Sequence, residues 1–437
     1  MGIEMSDSSK KNGKLISLRS LSLLFSSASL SEAFIPQSLL VGEQKHWQCP
    51  KPTFSGASIE DLQIAFRDSI ARAVGDNQKV AVAVSGGIDS CAVLKEVSKL
   101  CSNEKQCFAI VGNLRDDANV DCLDVASQLI KNLNIKCTIV SVEEHEASRE
   151  VMWHPSGPNL CAIPLMTRAI AERAIDCGAE ILLTGEGADG LFGAPKYLLP
   201  ITLGKLKLRK SGTLFRDIYS VGWKPLALEL LSGISLLLPK KLQTQIYWST
   251  NLPESCSVYV PEIINPKLHP YIQDWTSRWI AERVNFHLGN TSNWAAADAI
   301  DAIFPDEPYP PSGSIAEYNP FQDAHVFEVA MSLPLEERYN ESFQKAYHRQ
   351  KAMVVELLGR EAVSILPPGK QFFRKAFNRM EDSRPVDSTI CEKVGLFVTK
   401  PNIPYDESCA SILIRHHIRA VETWLKGAID RGYSVVG

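Results

Sequence analysis

Two glycine-rich strings hold the residue types best suited to chemistry. The first is Val84-Ser85-Gly86-Gly87-Ile88-Asp89-Ser90, directly after the β-branched run KVAVAV (79–84) and directly before a helix-like stretch. Gly86 and Gly87 allow the backbone to turn sharply and approach a ligand closely. Their N–H groups, with those opening the following helix, form a concave anion site. Ser85 and Ser90 add hydroxyl donors, so the loop suits a pyrophosphate. Asp89 would repel that anion unless a cation lay between them, and Mg2+ favours a few carboxylates together with phosphate oxygens. No lysine follows the glycines, which excludes a Walker A loop. The bland alternative is a strand-to-helix turn whose aspartate caps the helix. The second string, Gly185-Glu186-Gly187-Ala188-Asp189-Gly190-Leu191-Phe192-Gly193, follows the apolar run ILLT (181–184).

Both strings need a scaffold, and the pattern around them supplies one. Residues 59–74 carry apolar side chains at helical spacing, with Asp61 near the start. KVAVAV reads as a strand buried on both faces. A helix-like run follows at 91–100, then a strand at 107–111, a helix at 120–133, a strand at 136–142, a helix at 165–177 and a strand at 181–184. Strands alternating with helices predict an α/β fold, a parallel sheet with helices on both faces. Ligands in such sheets bind at the carboxyl ends of strands, where both strings fall. From residue 198 onward long amphipathic or apolar runs predict a mainly helical region. The expected organisation is an irregular segment at 1–55, an α/β core at 56–197 and a mainly helical part at 198–437 that completes the domain.

The SGGxDS string in this setting resembles the PP-loop of the ATP-pyrophosphatase superfamily, and GEGAD-x-LFG resembles the matching loop of asparagine synthetases. Pro320-Phe321-Gln322-Asp323 with HVFEVAMSLPLEERY, and Leu366-Pro367-Pro368-Gly369-Lys370-Gln371-Phe372, are similar to two further segments of that family. The resemblance covers roughly residues 60–375. It implies an adenine nucleotide alpha-hydrolase-like fold, with ATP as substrate and Mg2+ as cofactor. It also implies a reaction in which a carboxylate becomes an acyl-adenylate, pyrophosphate leaves, and ammonia or an amine takes the acyl group. The ATP and pyrophosphate residues would be Ser85, Gly86, Gly87, Asp89, Ser90, Gly185 and Gly187. Asp89 and Asp189 would hold Mg2+. Glu186 would take the proton that an attacking amine must lose, and Lys370 would stabilise developing charge. The bland alternatives are an N-cap partner for Glu186, a plain turn residue for Asp189 and a solvated loop lysine for Lys370.

The match also departs from the family. Glutamine-using members carry an N-terminal glutaminase domain with a cysteine exposed after Met1. Here position 2 is Gly2, and only about 60 residues precede the matched region, so no glutaminase domain is expected. Nitrogen would then come from ammonia, a separate source, or an amine on the substrate. The family's acidic-x-Arg element is also out of register: ungapped alignment puts Ala316 at the acid and Tyr318 at the arginine, with Glu317 one residue off. Three readings follow: asparagine biosynthesis or a similar ligation of a small-molecule or peptide carboxylate; a lactam- or macrolactam-forming synthetase of the β-lactam synthetase or lasso-peptide cyclase type; and a non-catalytic synthetase-like partner protein.

Composition narrows the partners. The net charge of −4 gives no sign of a nucleic-acid partner. Eleven cysteines, none at C-x-x-C spacing, argue against a zinc site and fit reduced thiols, so a cytoplasmic location is expected. Gly2 with Ser6 matches the short myristoylation pattern. Arg19 and many serines interrupt the apolar run at 10–34 that a secretory signal would need. The apolar run at 225–238 is too short to span a bilayer and contains Glu229, so it is expected as a buried or surface-packed helix, with no membrane partner. Lys205, Lys207, Arg209 and Lys210 read as a solvated basic face.

Overall fold

The computed structural model describes residues 14–32, 34–42, 52–101, 105–147, 153–160, 164–252, 258–301, 314–382, 386–398 and 409–437. A short strand, β1 (Leu15–Ser17), leads into helices α1 (Leu18–Leu23) and α2 (Ser27–Glu32). The core then alternates: α3 (Ile59–Val74), β2 (Lys79–Val84), α4 (Ile88–Leu100), β3 (Gln106–Asn113), α5 (Cys122–Asn132), β4 (Thr138–Glu143), α6 (Pro164–Asp176), β5 (Ile181–Leu183) and the single turn α7 (Ala188–Leu191). Local chemistry sets the boundaries. Ser58 and Asp61 form a reciprocal capping box at the start of α3. The Asp121 carboxylate accepts the Leu123 and Asp124 amides, which starts α5 at Cys122 and not at Val120.

A helical lobe follows: α8 (Leu198–Gly204), α9 (Leu208–Val221), α10 (Trp223–Ser235), α11 (Lys240–Asn251), α12 (His269–Asn290) and α13 (Trp294–Asp301). The chain then returns to the sheet through β6 (Ala316–Tyr318). It continues in α14 (Ala324–Ser332), α15 (Ala346–Gln350), α16 (Ala352–Leu358), α17 (Arg374–Asp382), α18 (Thr389–Lys393), the long α19 (Cys409–Asp430) and β7 (Ser434–Val436).

The main sheet is parallel throughout, in the order β4-β3-β2-β5-β6. On β2, Val80, Val82 and Val84 join a core with α3, α4, α5, α14 and α16 on one face. Ala81 joins the other face, with residues of α6 and α17. This is the alternation a strand requires when both faces are covered. Among the described residues no helix is long and apolar enough to cross a membrane.

Two segments differ from the sequence expectation. Residues 15–32, expected to be irregular, are ordered: Leu21, Leu24 and Phe25 are buried with Ile418, Val421 and Leu425 of α19. β1 pairs in parallel with β7, bringing the described segments nearest the two termini together. Serines interrupt the apolar pattern there, but Ser22 and Ser29 donate to main-chain carbonyls and so tolerate burial. The second difference is β6. Three residues are too few to stand out in a helical region, yet they pair with β5 and form the sheet's fifth strand.

Candidate active site

From β2 the chain steps outward to β3 and β4, then returns to the opposite side of β2 as β5. The loops leaving β2 and β5 therefore face each other across the place where strand order reverses, the usual ligand crevice of such sheets. Gly185 measures their proximity. A Cβ there would lie 2.7 Å from the Ser90 nitrogen and 2.8 Å from its Cα, main-chain atoms that cannot step aside. Gly86, at φ +78°, adopts a left-handed conformation that suits glycine.

The first loop is built as an anion cradle. Gly87 caps α4 without any side-chain cap, so the first amides of the helix stay available. Ser90 Oγ donates to the Gly87 carbonyl at 3.2 Å and accepts the Ser85 amide at 3.3 Å, holding the turn closed. Asp89 does not act as the cap. Both its oxygens lie 3.1 Å from Lys351 Nζ. The same ammonium is 2.6 Å from Asp189 Oδ1, and Asp189 Oδ2 is 2.5 Å from Lys370 Nζ. Carboxylates from two different loops thus meet on one cation. Burial pushes the Asp89 carboxyl up, against the pull of Lys351, and the Asp189 charge adds to the rise. Burial also raises Asp189, but Lys351 and Lys370 together bring it below the ordinary carboxylate value.

Glu186 and Gly187 sit on the second loop. Gly187 (φ +83°) caps α7 with no side-chain cap, so Glu186 does not serve as a cap partner and lines the crevice instead. Its carboxyl is pushed up by burial first and by Glu317 second. Glu317 corrects the register argument. On β6 it pairs with Leu182 and lines the crevice, while Tyr318 turns its hydroxyl to Ser69 Oγ (2.9 Å) and Asp323 Oδ2 (2.8 Å). An acid therefore stands in the crevice, one residue along from the ungapped position.

The cavity has a volume of about 650 Å3 and is lined by Ser85, Gly87, Asp89, Ser90, Gly185, Glu186, Gly187, Asp189 and Lys370. Of the residues named from sequence, only Gly86 is not in its wall; a Cβ there would lie 3.1 Å from Gln371 Oε1 and 3.3 Å from Val125 Cγ1. Thr184 Oγ1 and both amide atoms of Gln371 are buried at this site without hydrogen-bond partners. Orphaned polar atoms beside a phosphate cradle fit a polar ligand such as a nucleotide. Two carboxylates without a third ligand also fit Mg2+, which keeps waters and phosphate oxygens in its shell. Among the described residues no group of three or more His, Cys, Asp or Glu is placed to hold a metal.

Sequence reasoning missed Lys351, Gln371 and Thr184. A signal existed for Lys351. It directly precedes AMVVELL, a helix in which every residue is buried, so a lysine at its start must itself be buried and must find acids. Its side chain is only 7% exposed.

The asparagine synthase family model matches residues 61–245. Residues 61–245 are thus similar to the asparagine synthase family. A curated protein of Methanocaldococcus jannaschii, "Putative asparagine synthetase (glutamine-hydrolyzing) 1", is 31% identical over 174 residues. That alignment takes in 37% of this chain and 30% of the relative, so the chain spans less than a third of its length. Among solved structures, the U34-tRNA thiolase NcsA of Methanococcus maripaludis, with its 4Fe-4S cluster, aligns over 81% of this chain and 88% of its own. The identity is 12% and the TM-score 0.26, a superposition too loose to carry a structural argument. Both loops of the crevice lie inside this matched stretch. Glu317, Lys351 and Lys370 lie beyond it, and their part in the site rests on geometry.

Proposed function

We propose that this protein is an ATP-dependent, AMP-forming carbon–nitrogen ligase that activates a carboxylate and passes the acyl group to ammonia or an amine. One observation carries the reading: acids from two strand-end loops, Asp89 and Asp189, converge on a single cation beside an anion cradle. ATP would lie with its pyrophosphate against residues 85–90. Asp89 and Asp189 would hold Mg2+, which when bound neutralises charge on the phosphates. The substrate carboxylate attacks the α-phosphorus and pyrophosphate leaves towards the amides that open α4. The amine then attacks the acyl carbon, AMP departs and Glu186 accepts the proton. Burial and the neighbouring Glu317 raise its pKa, which makes it a stronger base than an exposed carboxylate. Lys351 and Lys370 supply positive charge on the phosphate side, and positioning with fixed charge provides most of the rate.

The test is pyrophosphate release from Mg·ATP with a panel of acids: aspartate, β-amino acids and peptides, each with and without ammonium. The reading predicts acid-dependent pyrophosphate with AMP. ADP as product, or no nucleotide turnover with any acid together with no ATP binding, would remove it. Release with aspartate that yields an amide only when ammonium is added selects asparagine-type ligation. Release confined to acids that carry their own amine selects lactam closure.

A further inference from the structure

Helix α10 carries apolar residues on two faces: Leu226, Leu228 and Leu231 pack inward on the lobe core, and a second set faces outward. Its buried residues are Glu229, Ser232 and Ser235. Trp223, Leu230 and Ile234, with Leu237 just beyond its end, are 79, 58, 62 and 87% exposed. The spacing 223, 230, 234, 237 follows one helical stripe. α9 carries a second stripe: Leu208, Phe215 and Tyr219 are exposed at i, i+7 and i+11, and the Phe215 and Tyr219 rings stack with centroids 6.3 Å apart. The two helices pack on each other and on α8. Their inner sides meet the core of Leu198, Leu214 and Trp294, which leaves both stripes outermost.

The exposed charges carried by the segment that bears these stripes have one sign, although Glu337 and Glu341 approach the start of α9 through Lys207 and Lys210. Between residues 201 and 245 the only acids are Asp217 and Glu229. Both are buried, Asp217 against Arg349 and Tyr339, and Glu229 against the Tyr197 and Leu199 amides. Lys205 and Lys207 are matched by Glu336, and Lys210 is buried, donating to the Glu336 and Tyr339 carbonyls. The expected solvated basic run is thus largely neutralised. Arg216, Lys224, Lys240 and Lys241 are exposed and meet no acid among the described residues. An isologous contact with a second copy would set these cations against themselves. Trp, Tyr, Phe and Leu interleaved with Lys and Arg on surface helices is instead the composition that settles in the headgroup layer of a bilayer.

We propose that the α9–α10 face docks this protein on an anionic lipid surface. The test is sedimentation of the full chain with vesicles of phosphatidylcholine alone and of phosphatidylcholine with phosphatidylglycerol. The protein should pellet with the anionic vesicles, stay in solution with the neutral ones, and be released by high salt. Lys240→Gln and Lys241→Gln should each weaken binding roughly fivefold. Trp223→Ser with Leu237→Ser should abolish it while leaving the thermal melt and nucleotide turnover unchanged. A chain that stays in solution with both vesicles overturns the proposal, as does one that pellets equally with both regardless of the lysines. Light scattering that shows a dimer dispersed by Trp223→Ser, without vesicle binding, assigns the face to a second copy instead.

Discussion

Lys351 holds together two acids that sequence separates by a hundred residues. Removing it should show in two ways. Lys351→Ala leaves Asp89 without its cation and should cost about 2 kcal/mol in urea unfolding. Much of that loss should return when Mg·ATP is added, because a bound cation would again neutralise the pair. Asp89→Asn and Asp189→Asn should each lower pyrophosphate release by roughly 100- to 1000-fold. The acidic pair Glu186 and Glu317 gives a pH prediction. Glu317 raises the Glu186 pKa by repulsion, so Glu317→Gln lets Glu186 ionise more easily. The acid limb of amide formation should move to lower pH, while pyrophosphate release in the absence of amine keeps its profile. The loop acids were legible in the sequence because their glycine setting constrains them. Lys351 was legible only as a lysine heading the apolar run AMVVELL; the acids it reaches lie on loops far away in sequence, and no local pattern names them.

At the scale of elements, the close approach of two loops is the feature most open to test. Gly185→Ala would drive a methyl into the Ser90 main chain. Overpacking of this kind costs about 1–3 kcal/mol, and it should weaken ATP binding as well, since the cradle itself must shift. A second test concerns the tie between α8 and α10. The Glu229 carboxyl is pushed up to about 7 by burial, although the Tyr197 and Leu199 amides favour its anion. Its folded pKa lies above the ordinary value of 4.5. Folding therefore prefers the protonated form, and the stability this contributes is complete below about pH 4.5 and lost as pH rises through about 7, a span worth about 3 kcal/mol. Tm should fall between pH 5 and 8 as a result. Glu229→Gln cannot ionise and should flatten that slope. Helix and strand types were readable because the apolar periods are long and clean in residues 59–184. β6 was not, because a three-residue strand is specified by its neighbour and not by its own pattern.

At the scale of the molecule, a parallel sheet places the crevice where strand order reverses, while the helical lobe and the described segments nearest the termini build cores of their own. The general architecture followed from alternation alone. The lobe's outward apolar stripe did not, because an apolar run at 225–238 does not show in sequence which of its leucines face the core and which face outward. Only the burial of Glu229, Ser232 and Ser235 decides it. The central claim is the meeting of the two loops around one magnesium nucleotide, and a crystal structure with Mg2+ and a non-hydrolysable ATP analogue tests it most directly. The account predicts the β- and γ-phosphates against residues 85–90, the metal between Asp89 and Asp189, and the Lys351 ammonium moved off the acids onto phosphate. An empty crevice, or a nucleotide bound with those two carboxylates still closed on Lys351, would contradict it.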